Sequence, residues 1–147
     1  MNKEHLEKLI STGYKLIAIE TNSPEQTIND FRPLVRDGKA IYQWDRSIGL
    51  SRIEVSHINI PNTKTPEMVL NHIRQSNLYG IYLLVGFNKN LSKPHVINTL
   101  EQIAANNKKN IIIFIDNNFN YPYKLMKNLL ISQEAEVKEQ TTFEQIA

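Results

Sequence analysis

Hydrophobic positions along the chain change repeatedly between a helical and a strand spacing. Leu6, Leu9 and Ile10 stand at i, i+3 and i+4, which predicts an amphipathic helix over residues 3–11. Short apolar runs rich in β-formers recur further on and predict strands that are covered on both faces. These runs are Tyr14–Glu20, Ala40–Trp44, Gly80–Phe87 and Asn110–Asp116.

Helix starts are marked between the predicted strands by polar residues followed by proline. The pairs Ser23-Pro24, Thr65-Pro66 and Lys93-Pro94 each precede a helical apolar stripe. Pro33 lies inside the first of these stripes and predicts a break near Arg32.

The remaining segments give weaker patterns. Residues 45–49 read as a turn with Gly49 at positive φ, and residues 52–60 alternate like a half-exposed strand. A short helix over 123–129 and a weak strand over 135–138 complete the prediction.

Strands separated by helical segments predict right-handed βαβ crossovers. We therefore expect an α/β fold of three layers, with a mostly parallel sheet of about five strands and helices on both faces. This would be a degenerate version of the P-loop or Rossmann-like arrangement. The length of 147 residues is typical of one domain, so residues 1–147 are expected to form a single unit.

Composition narrows the class of protein without selecting an activity. The chain is 41% hydrophobic and 22% charged, as globular proteins are, and its formal net charge is only +2. It has no cysteine, which excludes disulfides, thiolate metal sites and a cysteine nucleophile. No apolar run approaches the ~20 residues of a membrane span, so a cytoplasmic, non-membrane protein is expected.

In a doubly wound sheet the ligand site usually lies beyond the carboxyl ends of the strands. The polar residues there could bind a cation or a ribose, although Asp and Asn also favour such loops because they bond local backbone. The segments in question are Glu20–Asn22, Asp45–Ser47, Gly86–Asn88 and Asp116–Asn118.

The loop between the first strand and its helix argues against a standard nucleotide site. Residues 21–25 contain no glycine and no lysine, and Glu25 stands where an anion would bind. Neither G-x-x-x-x-G-K-[ST] nor G-x-G-x-x-G occurs in the chain. The run ending in Asp116 is similar to a Walker-B strand, but Asn117 replaces the second acid and no P-loop accompanies it.

Two other functions stay open as alternatives. A small metal-dependent hydrolase or nuclease would require Asp45, Glu54 and Asp116 to converge, although Ser56 replaces the lysine expected beyond Glu54. A nucleic-acid-binding module would use lysines, but the small net charge makes it the weaker alternative. Those lysines are Lys108, Lys109, Lys124 and Lys127, and the four histidines His5, His57, His72 and His95 show no metal-ligand spacing.

Two aromatic turns are candidate contact surfaces for another protein. Trp44 is the only tryptophan, and packing in the core is its first explanation. Its neighbours Asp45, Arg46 and Gly49 nevertheless form a turn more specific than the fold requires. Residues 121–123, Tyr-Pro-Tyr, form the second cluster.

The order of these segments resembles the amino-terminal domain of an uncharacterised AAA+ ATPase family found in chloroplast genomes, cyanobacteria and other bacteria. The resemblance covers residues 5–145, and its most specific element is Trp44-Asp45 followed by Gly49-Leu50. The other matching positions are Tyr14, Leu16, Ile17, Phe87, Leu100 and Ile112–Ile115.

This resemblance implies a non-catalytic domain that recognises or positions a partner or substrate for a motor. In that family the P-loop, the Walker-B acids and the bound ATP and Mg²⁺ belong to a module that follows this domain. It further implies an AAA+ module in cis, a homo-hexameric parent in the bacterial cytoplasm or plastid stroma, and no cofactor in this chain. Residues 134–147 resemble the lead into the next module, so the chain is expected to be a fragment or a free-standing homologue.

Overall fold

A central sheet of seven strands organises residues 1–133, the part of the chain that the computed structural model describes. Its strand order is β4-β3-β2-β5-β6-β1-β7. Strands β2, β5, β6, β1 and β7 are parallel, while β3 and β4 add an antiparallel extension next to β2. The strands are β1 Leu16–Glu20, β2 Ile41–Asp45, β3 Gly49–Arg52, β4 Asn59–Ile60, β5 Ile81–Val85, β6 Ile111–Asp116 and β7 Leu129–Gln133.

The proline-marked helix starts are confirmed, since helices begin at Pro24, Pro66 and Pro94, and polar side chains cap two of the helices. The Asn2 side chain accepts a hydrogen bond from the backbone N–H of His5, and Thr65 accepts one from that of Met68. The predicted break near Pro33 is confirmed, because one helix ends before Phe31 and the next begins after it. The helices are α1 Lys3–Ser11, α2 Pro24–Asp30, α3 Arg32–Arg36, α4 Pro66–Gln75 and α5 Pro94–Ala105.

Apolar layers cover both faces of the sheet. Leu16 and Ala18 of β1 face the layer containing α4 and α5, whereas Ile17 and Ile19 face the layer containing α1, α2 and α3. All four of these side chains are fully buried. The continuous apolar runs in the sequence are thus explained, and the predicted three-layer α/β fold with a mostly parallel sheet is confirmed.

Three details of the prediction need correction. The sheet has seven strands rather than about five, since β3, β4 and β7 join the parallel strands. The expected extension over residues 52–60 is a 3₁₀ turn, Ile53–Val55, followed by the two residues of β4, because Ile53 turns into the core. The predicted helix over 123–129 is a 3₁₀ segment, Tyr123–Asn128, while the strand expected over 135–138 lies outside the described residues.

Candidate functional site

The carboxyl edge of the sheet brings together two of the predicted polar groups. Glu20 and Asp116 end the neighbouring strands β1 and β6 and are paired in register. The backbone N–H of Thr21 donates to the carbonyl of Asp116 at 2.9 Å, which continues the pairing by one residue. Asp45 ends β2, which is separated from β6 by β5. It therefore does not join the Glu20–Asp116 pair.

The carboxylate of Glu20 is held by internal hydrogen bonds. It accepts from the Tyr121 hydroxyl and, at 3.2 Å, from the side-chain amide of Gln133. Burial and the neighbouring carboxylate raise the pKa of Tyr121 well above its usual value. The Tyr121 ring also stacks on Phe119, with ring centroids 5.2 Å apart. These contacts fix the loop after β6 against β1, so Tyr121 serves the fold.

The loop after β1 bonds to itself rather than forming an open anion cradle. The hydroxyl of Thr21 accepts from the backbone N–H of Ser23 at 3.1 Å, and the hydroxyl of Thr27 donates to the carbonyl of Ser23. Glu25 places a carboxylate in the first turn of α2, which has only seven residues. A phosphate approaching this helix end would meet like charge.

The three acids of the hydrolase alternative are not brought together. Glu54 lies in the 3₁₀ turn and pairs with Arg52, whose Nε is 2.6 Å from the carboxylate. Across residues 1–133, no group of three or more His, Cys, Asp or Glu side chains is arranged to hold a metal ion. The hydrolase alternative requires Asp45, Glu54 and Asp116 to converge, and this expectation is wrong for the described residues.

Trp44 supports the hairpin formed by β2 and β3 from inside the core. Its side chain is only 4% exposed, and its indole N–H donates to the carbonyl of Thr63 at 2.8 Å. Its ring meets that of Phe87 edge to face, with centroids 5.5 Å apart. Trp44 itself offers almost no exposed surface, so the accessible side chains of the predicted turn are those of residues 45–48. Contact of this turn with a partner stays a prediction.

Thr63 fixes the base of the same hairpin. It is not among the residues that the sequence pattern predicts to be important. Its buried hydroxyl accepts from the backbone N–H of Leu50 at 2.8 Å and donates to the carbonyl of Ile60 at 2.7 Å. Gly49 has φ of +96°, as the sequence predicted, and a Cβ there would lie 2.7 Å from the Thr63 hydroxyl. The preceding Pro61-Asn62 pair is a turn signal that could have drawn attention to this residue.

The tip of the hairpin, residues 45–48, is exposed throughout. The Asp45 carboxylate accepts from the hydroxyl and the backbone N–H of Ser47, at 2.6 and 2.8 Å. Both hydrogen bonds lower the pKa of Asp45 below its usual value, and the bond from the Ser47 hydroxyl has the larger effect. Ile48 is 44% exposed, and within residues 1–133 the Arg46 side chain has no hydrogen bond or ion pair. The tip thus presents a cation and an apolar side chain that the fold does not use.

The lysines of the nucleic-acid alternative precede two parallel strands, β6 and β7. Lys108 and Lys109 precede β6, and Lys124 and Lys127 lie in the 3₁₀ segment Tyr123–Asn128. The Lys108 ammonium donates to the carbonyl of Arg74 at 2.8 Å. Of the second aromatic cluster, Tyr121 is bonded internally, whereas Tyr123 is 93% exposed.

The fold and the closed loop after β1 define a P-loop-free α/β domain. The family model described as SpoVK-like AAA ATPase, N-terminal domain, matches residues 2–133, so this chain belongs to that family. This family represents the N-terminal domain of an AAA ATPase, and that domain is not the catalytic module. The comparisons with curated proteins and with solved structures gave no match. Among the described helices, none is long and apolar enough to cross a membrane.

Proposed function

We propose that this chain is the non-catalytic recognition domain of an AAA ATPase, and that it binds a protein partner or substrate for a motor module in cis. The hairpin tip, residues 45–48, is the observation that carries this proposal. Its base is fixed by Trp44, Gly49 and Thr63, while the side chains of Arg46 and Ile48 point out of the folded core. A rigid support with unused exposed side chains is suited to recognition because little loop entropy is lost on binding.

In this proposal the motor module binds ATP and Mg²⁺, and six copies of the parent form a ring. The nucleotide acts in the AAA module, since the loop after β1 offers a carboxylate and no glycine. A titration of residues 1–133 with a fluorescent ATP analogue and Mg²⁺ is expected to show no saturable binding. Saturable binding would contradict the proposal that the nucleotide binds in the AAA module and not in this domain.

The hairpin assignment is tested by partner capture with the AAA protein that carries this domain. Arg46→Ala combined with Ile48→Ser is expected to reduce partner binding at least about tenfold, because a cation and an apolar anchor are lost together. Trp44→Ala is unsuitable because it would open the core.

Arg36→Ala combined with Met68→Ser is the matched control, since both residues are exposed and lie outside the hairpin. Basal ATP hydrolysis should be unchanged in both double variants, because the hairpin does not touch the nucleotide. Unaltered partner binding by the hairpin variant would exclude the tip as the recognition surface.

A further inference from the structure

Lysines collect at the amino edge of the sheet, opposite to the hairpin tip. Lys15, Lys39 and Lys109 stand one or two residues before β1, β2 and β6, so the parallel topology brings their backbones to one edge. The carboxyl ends of α3, α4 and α5 precede strands at this same edge, and helix carboxyl ends favour cations. Part of the lysine enrichment is therefore a property of the fold.

Two lysines at this edge, Lys15 and Lys108, are used in that structural way. The Lys15 ammonium donates to the backbone carbonyl and, at 3.0 Å, to the side chain of Asn106, the residue that caps α5. Lys108 donates to the carbonyl of Arg74 in the last turn of α4. One carbonyl at each of these two helix ends thereby gains a hydrogen bond.

Three other lysines surround an open groove of about 860 Å³. Lys8, Lys39 and Lys109 line it together with Ile10 and Tyr79. The Lys39 ammonium lies 5.9 Å from the centre of the Tyr79 ring, and Lys8 and Lys109 make no side-chain hydrogen bond or ion pair within residues 1–133. The groove thus combines unpaired cations with an apolar wall.

A second groove of about 310 Å³ adjoins the first and shares Ile10, Tyr79 and Lys109 with it. It adds Tyr14, which is 39% exposed, and Asn110, which is 2% exposed. The Asn110 amide nitrogen donates to two backbone carbonyls, but its buried Oδ1 has no partner in the described structure. Because Oδ1 has almost no accessible surface, Asn110 forms part of the wall of this groove and is not a contact point for a ligand.

We propose that these two adjoining grooves, the amino-edge site, bind an acidic peptide segment that carries a large apolar side chain. The peptide's carboxylates pair with Lys8, Lys39 and Lys109, and its apolar side chain packs on Ile10 and the tyrosines. The site is distinct from the hairpin, and the proposal stands whether or not the hairpin binds the motor's partner.

The composition of the grooves favours a peptide over a nucleic acid. Glu4 and Glu7 line the larger groove among the lysines. A regular row of phosphates would meet these carboxylates, whereas a peptide can space its acidic residues to avoid them. Single-stranded nucleic acid is accordingly the competing outcome of the test.

The test is a selection of random displayed peptides on the immobilised chain, followed by anisotropy titration of the most enriched peptide after synthesis and labelling. Enriched sequences should be rich in Asp and Glu around an aromatic or aliphatic residue. Lys8→Glu combined with Lys109→Glu should weaken the enriched peptide at least about tenfold, because two attractive charges become repulsive.

Lys64→Glu combined with Lys89→Glu is the matched control, because both lysines are exposed and away from the amino edge. This control should bind like the wild type, and thermal unfolding should show both charge variants folded. Failure to enrich acidic sequences, binding that survives the Lys8 and Lys109 reversals, or preferential binding of labelled oligodeoxythymidine would each overturn the proposal. Hairpin variants should bind the peptide normally, so failure here is separable from failure of the proposed function.

Discussion

Replacing Thr63 by valine is expected to destabilise the hairpin, and the effect can be estimated from the structure. Valine keeps the shape of threonine but cannot bond the Leu50 N–H or the Ile60 carbonyl. Leu50 is fully buried, so its N–H would lose its partner without gaining water, at a cost of about 1–3 kcal/mol. The carbonyl adds about 1 kcal/mol, for a total of about 2–4 kcal/mol.

Such a loss is a large part of the roughly 5–15 kcal/mol that stabilises a domain of ordinary size. Urea denaturation followed by the fluorescence of Trp44 measures it directly, because this sole tryptophan bonds the carbonyl of Thr63. Thr63→Ser keeps the hydroxyl and should cost only about 1 kcal/mol for the lost methyl group. The reasoning is refuted if Thr63→Val changes the free energy of unfolding by less than about 0.5 kcal/mol, or if serine is as harmful as valine.

Two further predictions concern the backbone of the hairpin and the carboxyl edge. Gly49→Ala should cost about 2–4 kcal/mol, since φ is +96° and Thr63 crowds the Cβ, whereas Gly38→Ala, at φ of +90° with open space around it, should cost about 1–2 kcal/mol. Equal losses in urea denaturation would show that crowding is unimportant. The raised pKa of Tyr121 means that at high pH the unfolded chain releases this proton before the folded chain does. Stability should therefore fall above pH ~10, by up to about 1.4 kcal/mol per pH unit, more steeply than in Tyr121→Phe. Parallel pH profiles of the two proteins would contradict the assignment.

Much of the fold follows from local sequence signals. Buried parallel strands must be apolar on both faces, so the runs that became β1, β2, β5 and β6 could be recognised without knowledge of their partners. The proline-marked helix starts are equally local, because proline fixes φ and lacks the N–H that a first turn leaves unpaired.

The strands β4 and β7 are not predicted from the sequence, because they depend on partners that are distant along the chain. β4 has only two residues, and they form a strand because Thr63 closes the turn back toward Leu50. β7 is a strand because β1 offers it a free edge, and its residues Leu129–Gln133 alternate too weakly to predict this. Pairing of this kind is not encoded in the period of a short segment.

The candidate sites likewise depend on contacts between residues that are far apart in the sequence. The turn containing Arg46 and Gly49 was found from its residue types, but the burial of Trp44 depends on Phe87 and Thr63, which lie far along the chain. The amino-edge site arises from lysines that precede different strands, and only the sheet order brings them to one edge.

Recognition of a protein by the hairpin tip is the central claim, and photo-crosslinking from position 46 tests it most directly. A photoreactive amino acid replaces Arg46 in the AAA protein that is proposed to carry this domain, and Asn98, exposed on α5, is the control position. The account predicts a discrete crosslinked polypeptide from position 46 that is absent from position 98. No crosslink from position 46, or the same product from both positions, would contradict it.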